Sequence, residues 1–142
     1  MVECRNMINL QVGVKAFLKN KEGKYLIVHR AAKKYGKTSG SWDIVGGRIE
    51  PGTSLFENLR REVKEEVNLD IISEPILIQA QDIIPSEERH IVRLTYSANC
   101  IGDLVIDEEE HDDYKWLDLN EIKELPDLDI YVKDILSNNL IN

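Results

Sequence analysis

Three glutamates, Glu62, Glu65 and Glu66, follow the i, i+3, i+4 spacing that places side chains on one stripe of a helix. Carboxylates crowded on one stripe repel one another unless a cation lies between them. A hard divalent ion such as Mg²⁺ takes oxygen ligands, and it is commonly held by one or two carboxylates together with substrate phosphates. The spacing therefore indicates a metal site that serves phosphate chemistry.

A second interpretation of the same stripe is a solvated helix face. Arg60, Arg61 and Lys64 lie among the acids and can pair with them. Taken alone, the three glutamates favour this second interpretation, because ion pairs of this kind are common on helices. The surrounding sequence has to decide between the two.

The helix that carries the acids is predicted over about residues 55–67. Its apolar residues at three- and four-residue spacings form a stripe that faces a core: Phe56, Leu59, Val63 and Val67. At 3.6 residues per turn the acidic stripe lies about 110° from the apolar one, at the flank of the buried face. Thr53 or Ser54 can cap the first turn. Gly46, Gly47 and the turn dipeptide Pro51–Gly52 precede it.

The whole stretch from Gly47 to Leu69 resembles the Nudix box. That signature is a Gly, five residues, a Glu, seven residues, and then Arg-Glu-apolar-any-Glu-Glu-any-Gly-apolar. The chain has the contiguous segments GGRIEPG and REVKEEV, and it departs from the signature at Thr53, in place of Glu, and at Asn68, in place of Gly. Asn also tolerates the left-handed conformation at a helix C-terminus. Thr53 replaces an acid that supports the metal site in this family.

The resemblance implies an α+β protein with the Nudix α/β/α sandwich, a mixed sheet and the catalytic helix at about residues 55–67. It implies metal ligands at the Gly46 carbonyl and at Glu62, Glu65, Glu66 and Glu110. The catalytic set is then Glu66, Glu65, Glu110 and Arg61, with Arg61 orienting a helix carboxylate and Glu110 or Glu65 as the general base. The expected ion is Mg²⁺ or Mn²⁺.

Glu110 lies in a dense acidic run, DEEEHDD, over residues 107–113. One interpretation of the run is a solvated loop. However, many Nudix proteins carry a Glu followed by His shortly before a Trp, and Glu110–His111 before Trp116 matches that arrangement. Glu108 and Glu109 are alternatives for the same role.

A basic loop over residues 31–41 stands out in an acidic chain, with Lys33, Lys34 and Lys37 following Arg30. It is either a solvated loop or a contact for the substrate phosphates, and its position directly before the glycine turn favours the second. His29 ends an apolar strand, and we expect it to be structural.

The remaining elements are strands and two helices. Strands over residues 8–18 and 24–30 form a predicted hairpin. A second predicted hairpin joins residues 76–84 and 90–100 through a turn at 85–88. That turn contains Pro85, a weak indication of ADP-ribose cleavage in this family. Short strands are expected over residues 41–45 and 114–117, and helices over 118–125 and 127–136.

Length and composition fit one domain over residues 1–142. The net charge of −8 argues against partners that reward basic patches, namely nucleic acid polymers and anionic membranes. Cys4 and Cys100 give neither a disulfide framework nor a metal-ligand spacing. With no signal peptide or apolar span in the sequence, we expect a cytoplasmic protein. Homodimer formation stays open.

The sequence therefore predicts a divalent-metal-dependent pyrophosphohydrolase. It cleaves the diphosphate linkage of a nucleoside diphosphate derivative or of a nucleoside triphosphate. The substrates consistent with this are nucleoside triphosphates, ADP-ribose, nucleotide sugars and dinucleoside polyphosphates. Because Thr53 leaves the box incomplete, a non-catalytic Nudix module that binds a nucleotide or a protein is the alternative. An acidic interaction domain without a ligand site would leave the glycine turn and the acid triplet unexplained.

Overall fold

The structure is a computed structural model that describes residues 7–36 and 41–142. The centre of the fold is a mixed sheet, to which eight strands contribute within these ranges. The strands are β1 (Asn9–Lys19), β2 (Tyr25–Arg30), β3 (Trp42–Asp43), β4 (Val45–Arg48), β5 (Asp70–Ile71), β6 (Ile76–Ser86), β7 (Arg89–Ile101) and β8 (His111–Leu117). The helices are α1 (Ala32–Tyr35), α2 (Leu55–Val67), α3 (Leu119–Lys123) and α4 (Ile130–Ser137).

β1 pairs with β7 in parallel over its whole length and with β4 in the antiparallel sense near its middle. The other pairings that join the sheet are antiparallel. β6 and β7 form the second hairpin as predicted. Its turn comes later than predicted, at residues 87–88, and Pro85 still belongs to β6 beside an irregularity in the register.

The first predicted hairpin is only partly correct. β1 and β2 are antiparallel, but their paired positions are at the turn, where Lys19 lies opposite Tyr25. The two strands diverge because β4 occupies the edge of β1 from Gly13 to Ala16. β2 instead pairs along its length with β8. β8 begins at His111, three residues before the predicted start at residue 114.

Two hydrophobic cores lie on opposite faces of this sheet. Alternate residues of β1 point to different cores: Ala16 and Leu18 pack toward α2, and Phe17 packs toward α3 and α4. The predicted stripe of α2 is confirmed, since Leu59, Val63 and Val67 are fully buried and the partly buried Phe56 packs against this core. A sheet between two helical layers is the predicted α/β/α sandwich.

Local sequence explains the helix boundaries. Ser54, and not Thr53, caps α2 by accepting a hydrogen bond from the Glu57 N–H at 3.1 Å, and Asn68 ends the helix in the left-handed conformation at φ 60°. Asp118 caps α3 in a capping box.

Two helix predictions were wrong in detail. Asp129 caps α4, which starts at Ile130 and not at residue 127. The predicted loop at 31–41 contains α1, because Ala and Lys are good helix formers and Gly36 can end the turn at φ 69°. Cys100 is buried, and burial raises the pKa of its thiol to about 11. None of the helices in the described ranges is both long enough and apolar enough to span a membrane.

Candidate active site

The acidic stripe of α2 lies at the flank of the buried face, as the helical periodicity predicts. Glu66 is 8% exposed, the side chain of Glu62 is 15% exposed, and the side chain of Glu65 is 61% exposed. Burial raises the pKa of the Glu62 carboxyl, and repulsion from Glu66 raises it further. The buried Glu66 and the partly buried Glu62 therefore form an unfavourable pair, whose repulsion the neighbouring Arg61 offsets only in part.

Gly46 and Gly47, which we expected in a turn, lie instead in β4, and this strand fits closely against these acids. The backbone N–H of Gly46 donates to Glu66 Oε2 at 3.1 Å. A Cβ on Gly47 would lie 2.6 Å from Glu62 Oε2, so the missing side chain makes room for this carboxylate. Gly46 has φ 153°, and a Cβ there would meet the Val14 carbonyl at 1.9 Å. Both glycines of the predicted turn are thus required by the geometry of the site.

Arg61 joins the acids along the outer side of α2. Its guanidinium donates to Glu62 Oε1 at 3.0 Å, to Asn58 Oδ1 at 3.0 Å and to Glu65 Oε2 at 3.4 Å. Glu50 Oε1 lies 3.9 Å away and provides a further acidic contact. Burial alone would lower the pKa of Arg61, but the surrounding acids outweigh it and raise the pKa. These contacts agree with a residue that orients carboxylates.

The basic segment contributes Arg30 and Lys34 to the cavity that borders these acids. Lys34 and Tyr35 both donate to the carboxylate of Glu110, and Glu110 lines the same cavity. Burial would raise the pKa of Glu110, but these two hydrogen bonds lower it below its usual range. Lys33 does not line the cavity, and it pairs with Glu109 at 3.1 Å. Lys37 lies outside the described residues.

A buried ionic network forms the floor of the cavity. Asp43, 1% exposed, accepts hydrogen bonds from Arg93 at 3.0 Å, Arg30 at 2.7 Å and Lys15 at 3.2 Å. Arg93 also pairs with Asp129, the cap of α4, at 3.3 Å. Burial alone would raise the pKa of Asp43, but the three cations hold it well below its usual range. The network joins β1, β2, β3, β7 and α4 around one carboxylate.

The cavity itself measures about 590 Å³, within the usual range for a small-molecule site. Its acidic lining residues are Asp43, Glu62, Glu65, Glu66, Asp107 and Glu110, and its basic ones are Lys15, Arg30, Lys34, Arg48 and Arg93. Ile83 and Ile91, which face each other across β6 and β7, add an apolar part. A phosphorylated ligand with an apolar ring would meet complementary groups there.

The donor set suits a hard divalent cation. Within residues 7–36 and 41–142, no three His, Cys, Asp or Glu side chains form a ready-made cluster. A Mg²⁺ site does not require one, since one or two carboxylates, waters and substrate phosphates suffice. Glu62 and Glu66 border the cavity beside Gly46, and both ring nitrogens of His111 lack hydrogen-bond partners in the described structure, with Nε2 3.6 Å from Glu66 Oε1. The residues present therefore fit such an ion.

Several lining residues were missed by the sequence analysis: Lys15, Tyr35, Asp43, Ile83, Ile91 and Arg93. Lys15 had a detectable signal, because it is a charged residue in the middle of an otherwise apolar strand, where an unpaired charge is rare. Asp43 and Arg93 carried a similar signal, since each lies between two apolar residues. Ile83 and Ile91 carried none, because β6 and β7 reach the cavity only through the sheet pairing.

Comparison with known families agrees with this geometry. The chain matches the family model described as NUDIX domain over residues 9–137. The chain belongs to the Nudix family. It is therefore a hydrolase of the pyrophosphohydrolase class, which confirms the predicted family and enzyme class. Dependence on a divalent metal is a general property of Nudix hydrolases.

The chain is also similar to individual Nudix relatives. It is 29% identical over 126 residues to the nucleoside triphosphatase NudI of Salmonella agona, covering 82% of this chain and 87% of the relative. It is 30% identical over 105 residues to the protein of the same name from Escherichia coli, and the match covers 68% of this chain and 74% of the relative.

Two solved structures share the fold. The MutT protein of Methanosarcina mazei matches with a TM-score of 0.78 at 23% identity, covering 92% of this chain and 93% of that one. The MutT NUDIX hydrolase of Burkholderia pseudomallei matches with a TM-score of 0.74 at 21% identity, covering 91% of this chain and 97% of that one. These likenesses confirm the predicted sandwich.

Proposed function

We propose that this protein hydrolyses nucleoside triphosphates and releases pyrophosphate, with Mg²⁺ or Mn²⁺ as its ion. The observation that carries this proposal is one cavity that combines the buried Glu66 and the partly buried Glu62 with several cations and an apolar pair of side chains. The relatives described as nucleoside triphosphatases support the choice of substrate class.

The register of the sheet suggests how the substrate lies. Lys15 of β1 lies opposite Gly46 of β4 in the sheet. Gln11, four residues earlier on β1, lies opposite Ile91 of β7. At about 3.3 Å per residue the two levels are roughly 13 Å apart, a separation suited to a nucleotide in extended form. We propose that the phosphates lie beside Gly46 and α2 and that the base contacts Ile83 and Ile91.

Each site residue has a role in this proposal. Glu62, Glu66, the Gly46 carbonyl and the more exposed Glu65 would hold the ion, which when bound supplies positive charge to the phosphoryl oxygens and lowers the pKa of water. Arg61 fixes the carboxylates of Glu62 and Glu65. Lys34 and Arg30 neutralise phosphate charge, and Lys15 joins them. Lys33, which pairs with Glu109 outside the cavity, keeps only the weaker role of a nearby charge.

The chemical step is the addition of water to a phosphorus atom, with cleavage of the phosphoric anhydride P–O bond. The proton that the water loses passes to a carboxylate, and Glu110 and Glu65 are the two candidates. Glu110 is the more enclosed of the two, since its side chain is 24% exposed against 61% for Glu65. A less hydrated carboxylate is the better proton acceptor once the two donors that lower its pKa, Lys34 and Tyr35, have moved away.

The test is product release from a panel of nucleoside triphosphates, ADP-ribose, nucleotide sugars and dinucleoside polyphosphates, with Mg²⁺ and with Mn²⁺. Anion-exchange chromatography separates nucleoside monophosphate and pyrophosphate from nucleoside diphosphate and phosphate. Turnover of triphosphates to monophosphate and pyrophosphate, lost in Glu66→Gln, is the expected result. Turnover of another class alone would overturn the proposed substrate. Nucleotide binding without turnover would identify the non-catalytic module that Thr53 suggests.

A further inference from the structure

Glu110 has two partners in the cavity, and they occupy both of its oxygens. The ammonium of Lys34 contacts one carboxylate oxygen, and the hydroxyl of Tyr35 donates to the other. Lys34 and Tyr35 are consecutive residues at the end of α1, and both line the cavity. We call this pair of residues the clasp.

The backbones that carry the clasp and Glu110 are joined independently of these side chains. The Ala31 N–H donates to the Glu110 carbonyl at 2.9 Å, and the Ala32 N–H donates to Asp112 at 3.3 Å. The side chains of Lys34, Tyr35 and Glu110 can therefore change partners while α1 stays in place beside the acidic run at residues 107–113.

Held in this way, Glu110 is a weaker base, because both of its oxygens accept hydrogen bonds from donors that stabilise the charged form of the carboxylate. The contact is nevertheless easy to break, because ion pairs as exposed as this one contribute little to stability. The side chain of Lys34 is 49% exposed and that of Glu110 is 24% exposed.

We propose that Lys34 and Tyr35 exchange partners when substrate binds. They hold Glu110 in the free enzyme and hold the end of the phosphate chain in the complex, which releases Glu110 toward Glu66. A triphosphate has more negative charge and more acceptor oxygens than one carboxylate, so it displaces Glu110 from the same donors. This inference rests on the proposed function, and it adds that a polyphosphate end is the ligand that frees the carboxylate.

The exchange is tested by isothermal titration of the full chain with inorganic tripolyphosphate in metal-free buffer. Removing the charge of Glu110 with Glu110→Gln frees the clasp, and we expect binding to tighten by about threefold or more, the scale of an exposed ion pair. Asp107→Asn is the matched control, because Asp107 is another carboxylate of the same cavity whose side chain accepts from the Glu109 N–H. It reports the effect of removing one negative charge without freeing the clasp.

A double-mutant comparison decides the result. Lys34→Met should weaken tripolyphosphate binding by a larger factor in the Glu110→Gln background than in the wild type, because only there is Lys34 free of its competitor. Equal tightening by Glu110→Gln and Asp107→Asn, or equal effects of Lys34→Met in both backgrounds, would overturn the exchange. Circular dichroism and the Tm of each variant confirm that it is folded.

The outcome is independent of the proposed function, since the titration requires no turnover. A chain that shows the exchange but hydrolyses no triphosphate would overturn the proposed function alone. A chain that hydrolyses triphosphates without the exchange would overturn only this inference.

Discussion

The backbone N–H of Gly46 donates a hydrogen bond to the carboxylate of Glu66 at 3.1 Å. This bond joins β4 to the last turn of α2, and it fixes an acid that is 8% exposed. A charged group so deeply buried is stable only with hydrogen bonds and a counter-charge. This hydrogen bond explains why the glycine pair and α2 occur together in the sequence.

The first prediction concerns Glu66. Glu66→Gln keeps the size of the side chain and can still accept the bond from Gly46, but it removes the charge. We expect kcat to fall by about a hundredfold or more with an unchanged Tm, since even indirect support of a metal site is worth about that much. Steady-state kinetics measure it, with Glu57→Gln, an exposed acid of the same helix, as the control. Near-normal activity of folded Glu66→Gln protein would contradict the assignment.

Gly46 and Gly47 of β4 should respond differently to substitution by alanine. In Gly47→Ala the new Cβ displaces the flexible end of Glu62, so kcat should fall about tenfold or more while Tm changes little. In Gly46→Ala the Cβ meets the Val14 backbone at a strained φ, so the free energy of unfolding should fall by about 2 kcal/mol or more. Denaturant unfolding and kinetics on both variants check this. The same phenotype in both would refute the distinction.

The third prediction is metal dependence. Dialysis against EDTA should abolish turnover, and Mg²⁺ or Mn²⁺ should restore it. Glu62→Gln should raise the Mg²⁺ concentration for half-maximal activity by about tenfold or more. Glu57→Gln again serves as the control, because it removes one charge from α2 outside the cavity. Full activity after removal of all divalent ions would rule out the site described here.

The buried network around Asp43 predicts the acid stability of the fold. The pKa of Asp43 is lowered in the folded state from its ordinary 3.8, so its contribution to stability is complete above that pH and is lost as the pH falls below it. Asp43→Asn leaves Arg93 buried with less counter-charge and should lower the free energy of unfolding by about 3 kcal/mol at pH 7.

Urea unfolding between pH 2 and pH 7 measures both effects. The difference in unfolding free energy between the wild type and Asp43→Asn should narrow as the pH falls below about 4. Lys15→Met, which removes one of the three cations at a more exposed position, is a milder comparison. A difference that stays constant over this pH range would mean that Asp43 does not carry the acid sensitivity.

The sequence by itself determined the parts of the site that lie close together along the chain. Helical periodicity identified the apolar stripe of α2 and placed Glu62 and Glu66 at its flank, and the glycine turn preceded them within one continuous motif. Such local features depend on fixed repeats of backbone geometry, so a single chain is enough to predict them. The left-handed end at Asn68 and the cap at the start of α2 belong to the same class, although the choice between Thr53 and Ser54 required the structure.

Only the tertiary structure decided which distant residues complete the cavity. Lys15, Arg93 and Ile91 reach it because β1 and β7 pair in parallel, a pairing between segments about eighty residues apart that no local pattern determines. The same pairing brings Lys15 and Arg93 together, and the pairing of β2 with β3 places Asp43 beside them. The hydrogen bonds from the start of α1 to Glu110 and Asp112 bring Lys34 and Tyr35 to the Glu110 side chain. Side-chain contacts across a sheet depend on register, and register is set by the burial of the whole strand and not by any single residue.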